Sequence, residues 1–77
     1  MNKDRRKMIR PVADDLLERA LTILNQAKDE EEDALLNFPE NLEDSERYKL
    51  MENAIDYLED AIECIEEAQG NIRAAIE

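Results

Sequence analysis

Residues 54–75 read AIDYLEDAIECIEEAQGNIRAA, and this stretch decides the fold. Ala54, Ala61, Ala68 and Ala75 recur every seven residues. The line beside them is Tyr48, Met51, Ile55, Leu58, Ile62, Ile65, Gln69, Ile72 and Ile76, and its steps alternate three and four. A seven-residue pattern stays on one side of a helix only if that helix winds slightly around a partner. Upstream, Ala13, Ala20, Ala27 and Ala34 repeat the same spacing, with Pro39 between the two ladders. Alanine at such positions lets two backbones approach closely. The expected fold is therefore all-α: an antiparallel hairpin of two long helices. Its packing residues are Ala13, Ala20, Ala27, Ala54, Ala61 and Ala68, with Ile55, Leu58, Ile62 and Ile65.

Working outward, residues 1–77 form one helical-hairpin domain. Residues 1–10 are a basic arm or the start of helix 1; Asn2 is a candidate cap. Pro11 implies either a kink or a helix start, because a proline at the first helical position loses no hydrogen bond. The first helix covers 11–37, with apolar residues at Val12, Leu16, Leu17, Leu21, Ile23 and Leu24 around the alanines. Residues 29–33, DEEED, interrupt the stripe but favour helix; their exposed charge is expected to loosen this end. The residue before Pro39 is biased away from helical geometry, so helix 1 ends near Asn37. Residues 38–44 connect, with Phe38 and Leu42 plugging the end of the core and Pro39 able to open one short turn. Ser45 or Asp44 caps the second helix, which covers 45–76. Gln69 is the one polar residue of its seam, read either as a water-exposed position or as a residue that fixes register.

Apolar residues cover more of each helix than one antiparallel contact can bury. On the second helix the seam, the alanine ladder and the line Leu50, Tyr57, Cys64 span roughly 160° of the wheel. A short chain has a marginal core, so the surplus predicts a homodimer forming a four-helix bundle.

Composition excludes several function classes. The chain has one cysteine, no histidine, one glycine and two prolines. An internal disulfide is impossible, and a free Cys64 fits a reducing cytosol. No apolar run approaches the ~20 residues of a membrane span. The opening MNKDRRKMIR lacks the apolar stretch of a secretory signal. Cys64 has no histidine to activate it, and Glu63, Glu66 and Glu67 beside it oppose thiolate formation. Carboxylates are numerous, but acid–base work needs an enclosed cleft to separate their pKa values. Helical di-iron sites use Glu-x-x-His pairs, and the 29–33 run lacks the alternating ligands and glycine of a calcium loop. No enzyme activity, no cofactor and no metal site are expected.

Charge is what remains. The net charge is −11, divided as +4 over residues 1–10 and −15 over the rest. Such a body repels nucleic acid and speeds encounter with a basic protein. In an antiparallel hairpin Arg5, Arg6 and Arg10 would lie near Glu63, Glu66, Glu67 or Glu77. The outer face of the second helix carries Glu52, Asp56, Glu59, Asp60, Glu63, Glu66 and Glu67, with no basic residue between Lys49 and Arg73. This row is the candidate partner-binding site; it either imitates a line of phosphates or keeps the protein soluble.

The stretch 29–68, DEEEDALLNFPENLEDSERYKLMENAIDYLEDAIECIEEA, together with the opening MNKDRRKMI, resembles a group of small acidic helical proteins of phages and prophages of Gram-positive bacteria. The shared pattern is an acidic end to helix 1 (Glu30–Asp33), a Phe38–Glu40 connection, a Ser45–Arg47 start to helix 2, and heptads from Ala54. The resemblance implies a mobile-element context in the cytoplasm of a bacterial host, and it carries no site residues. Small acidic proteins in that context often block host machinery, including defence systems. The expected function is a non-enzymatic protein-interaction module that binds, and can inhibit, a basic nucleic-acid-binding host protein through its acidic face. The alternative is a scaffolding coiled coil that self-assembles or recruits a partner helix.

Overall fold

The computed structural model describes all of residues 1–77 and is an all-α antiparallel hairpin, a rod of 59 × 14 × 13 Å. The first arm is one continuous helical path made of α1 (Lys3–Pro11), a π-helical turn (Val12–Leu16) and α2 (Leu17–Leu36). A single 3-10 turn, Glu40–Leu42, interrupts the connection, and α3 (Glu46–Ala75) is the second arm.

Each boundary has a local cause. Asn2 is extended, and its side-chain oxygen accepts from the Arg5 amide at 2.8 Å, satisfying one of the free donors of a helix start. The basic opening residues are thus part of α1. Pro39 bars continuation of α2. Its last turn closes through the Asn37 amide on the Asp33 carbonyl at 3.1 Å, which also accepts from the Asn37 side chain at 2.9 Å. Ser45 Oγ accepts from the Tyr48 amide at 3.2 Å and opens α3. Phe38 meets Tyr48 edge to face, with centroids 5.4 Å apart, and this pair closes the turn end of the rod. Burial, and then the carboxylates of Glu43 and Glu52, push the Tyr48 phenol above its ordinary value. Leu42, expected to share the plug, is instead exposed at the end of the 3-10 turn.

The two ends fix the register. Phe38 stands on Tyr48, and Gln69 reaches the start of α2, so the same three heptads run along both arms. The α3 seam is as the heptads require: Ile55 and Ile62 are buried, and Met51, Leu58, Ile65 and Ile72 are half-buried. Opposite, the inward line of α2 is Leu17, Leu21, Leu24, Lys28, Glu31 and Leu35. Its period carries two charged residues into the seam. Lys28 lays its aliphatic stem there and places its Nζ 3.9 Å from Glu32. The run at 29–33 is therefore not a wholly exposed insertion, because Glu31 and Glu32 are half-buried.

The π turn is the departure from a regular hairpin. Continued backward, the α2 period would bring Asp14 and Arg10 inward. Instead Ala13 is fully buried, Ile9 is half-buried, and Asp14 and Arg10 face solvent. One extra residue in the turn shifts the phase and brings the apolar stripe back inside. The change follows Pro11, which has no amide proton, and the Val12 amide turns to the Ile9 carbonyl. A consequence is that the first alanine ladder does not form one line. Ala13 sits in the seam, Ala20 and Ala27 flank it, and Ala34 is exposed.

Gly70 lies on the outer face of α3, and a Cβ built there meets nothing within 4 Å. Gly70→Ala is therefore expected to stabilise the chain by about 1 kcal/mol. The check is the far-UV circular dichroism melt; an unchanged or lower midpoint would mean that α3 is not helical through residue 70.

Candidate functional site

The hairpin has two unlike long sides, and antiparallel packing creates them. When two helices run in opposite directions, residues just before the seam on both arms fall on one side. Those just after the seam fall on the other. Before the seam stand Ala20 and Ala27 on α2 and Ala54, Ala61 and Ala68 on α3, all half-buried. Beyond them, at the edges, are Leu16, Ile23, Leu50, Tyr57 and Cys64, all exposed. The result is a shallow alanine floor with bulky apolar edges.

The opposite side is acidic. Glu52, Asp56, Glu59, Asp60, Glu63, Glu66 and Glu67 are all exposed along α3. Four of them line two open grooves shared with α2. Glu66 joins Glu18, Asp29, Glu30 and Asp33 around a groove of about 620 Å³ that also takes in Thr22, Asn25 and Gln26. Glu59, Asp60 and Glu63 line a smaller one, about 290 Å³, with Lys28 and Ile62. The carboxylates of α2 extend the row in width, which the reading of α3 alone missed. No three acidic or thiol side chains converge as they would around a metal ion.

None of the seven carboxylates on α3 has a cationic partner within 4 Å; the ion pairs are Arg19–Asp15, Lys28–Glu32 and Arg73–Asp14. The expected pairing of Arg5, Arg6 and Arg10 with Glu63, Glu66, Glu67 or Glu77 is not formed. The phase shift at the π turn sends Arg10 outward, and the cation that crosses between arms is Arg73, 3.3 Å from Asp14. Arg6 lies half-buried, with its Nε out of contact with solvent and without a hydrogen-bond partner.

Gln69 is the best-held polar side chain. At 5% exposure it is not the water-exposed seam position that was one of the two readings. Its Nε2 donates to the Ala13 carbonyl at 3.0 Å and to Glu18 Oε2 at 2.8 Å. The π turn explains the first bond. There the Leu17 amide binds the Val12 carbonyl in place of the Ala13 carbonyl. The deprived carbonyl belongs to a residue with 0% exposure, where water cannot substitute. Gln69 supplies the missing donor from the other arm. It ties the alignment of the arms, and with it the placing of the acidic row, to one backbone irregularity.

No helix is long and apolar enough to cross a membrane. Comparison of the chain with protein-family models, curated proteins and solved structures finds no match.

Proposed function

We propose that the protein is a non-enzymatic interaction module whose acidic side occupies a basic groove on a nucleic-acid-binding protein and blocks it. The observation that carries this reading is the row of unpaired carboxylates on one side of the rod. At ~1.5 Å per residue the α3 row from Glu52 to Glu67 spans about 22 Å, a mean spacing of roughly 3.7 Å between charges, against about 3.4 Å per phosphate along one nucleic-acid strand. Like charges at this spacing weaken a helix by a few tenths of a kcal/mol per pair. The row is thus kept at a cost to the fold. A homodimer in the cytoplasm of a bacterial host, of phage or prophage origin, belongs to the same proposal. It rests on the surplus apolar surface and on the resemblance of residues 29–68.

The test is capture of partners from host lysate at physiological salt with tagged wild type and with a Glu59→Lys, Asp60→Lys, Glu63→Lys, Glu66→Lys variant. A basic nucleic-acid-handling protein retained by the wild type, released by high salt and lost with the variant supports the reading. Retention by the variant overturns it. The exposed apolar side favours a second reading, a scaffold that recruits a partner helix. That reading requires salt-tolerant binding that fails when Ala61 and Ala68 are made bulky.

A further inference from the structure

We infer that the alanine floor of Ala20, Ala27, Ala54, Ala61 and Ala68 is covered by the same floor of a second copy of this chain, leaving two acidic sides facing outward in opposite directions. The inference deepens the homodimer of the proposed function by naming its face and the resulting bivalency.

Area points to an occupant. A compact 9.0 kDa monomer exposes about 4,900 Å². This chain exposes 5968 Å² and fully buries only five residues. The excess, roughly 1,100 Å², is comparable to the ~800 Å² that each partner loses in a standard interface. Part of the excess lies on one side, where Leu16, Ile23, Leu50 and Tyr57, 56–74% exposed, edge the alanine floor. Single exposed apolar residues are ordinary, but four on the edges of one alanine-floored side mark an interaction surface.

Charge selects how two copies meet. The chain carries −11, so most approaches of two copies are repulsive. Floor against floor is the approach that keeps both acidic rows on the outside. Shape agrees, because small residues in the middle of the side let four helices come together around a two-fold axis. The outcome is a rod with an anionic row on each flank, able to engage two basic surfaces at once.

Sedimentation equilibrium of the full chain, with reductant present so that Cys64 forms no cross-link, tests this. The wild type is expected to sediment at twice 9.0 kDa at about 100 μM, which corresponds to a weak-to-moderate dissociation constant. An Ile23→Glu, Tyr57→Glu variant should stay helical by circular dichroism and weaken the dimer by about 100-fold or more. If that variant loses its helices, Tyr57→Gln alone carries the same comparison, since Tyr57 is 74% exposed. The Glu59→Lys, Asp60→Lys, Glu63→Lys, Glu66→Lys variant should remain dimeric. A helical wild type that stays monomeric, or a dimer indifferent to both edge substitutions, overturns the inference. A monomer that still captures a basic partner would overturn the inference and the homodimer, and leave the acidic-side reading standing. A dimer whose capture is untouched by the lysine substitutions would overturn only the proposed function.

Discussion

Replacing Ile62 by alanine is expected to lower the melting midpoint by roughly 10–30 °C, the largest effect of any single side chain here. Ile62 is one of five buried residues and stands at the centre of the α3 seam. Truncating a buried isoleucine costs about 2–4 kcal/mol, from lost transfer energy and the cavity left behind. In a domain of this size each kcal/mol moves the midpoint by about 4–8 °C. A chain with so small a core has little stability in reserve, about 0.05–0.15 kcal/mol per residue at best. The comparison is Leu36→Ala. Leu36 is 83% exposed at the end of α2, and its truncation should cost under about 0.5 kcal/mol. Urea melts of both variants at one protein concentration separate the cases. Equal losses would mean that the seam is not the core.

Gln69→Leu should destabilise the hairpin by about 1–3 kcal/mol even though it adds an apolar residue to an apolar seam. The cost is that of a buried acceptor without a donor, here the Ala13 carbonyl. A second change isolates the cause. Deleting Asp15 removes one residue from the π turn and puts Ala13 and Leu17 three apart, in step with the heptads. The turn can then wind as α-helix: the Leu17 amide, now four residues on, keeps the Val12 carbonyl, and the Glu18 amide closes on the Ala13 carbonyl. The only ion pair lost is the exposed Arg19–Asp15 contact at 3.9 Å, which contributes little. In that background Gln69→Leu should be neutral or stabilising, so the two changes couple by at least about 1 kcal/mol. Identical costs of Gln69→Leu in both backgrounds would show that the π turn and Gln69 are independent.

Most of the fold is legible in the residues. The heptad seam of α3, the Ser45 cap, the end of α2 at Asn37 and the stop imposed by Pro39 follow from spacing and local chemistry. The π turn was also written in the sequence, but in a signal weaker than the alanine ladder that masked it. Ile9, Ala13, Leu17 and Leu21 advance by fours, which no regular helix can keep inside. A seven-residue spacing of alanines crosses that shift unchanged, so Ala13 looked like the first rung of a line it does not join. The fate of Gln69 depended on the same shift and on a carbonyl from the other arm, and no local pattern reports that. The acidic row of α3 was visible; its widening by Glu18, Asp29, Glu30 and Asp33 needed the register of the two arms.

The position of the polar clasp also sets an order of assembly. The Phe38–Tyr48 pair closes a short loop at the turn, and every later seam layer closes a longer one, with Gln69 on Ala13 and then Arg73 on Asp14 across most of the chain. Each closure is easier once the one before it has shortened the free loop. The arms therefore zip from the turn toward the termini. The Gln69 bond is among the last to form, and the open end is the first to unzip under denaturant or force.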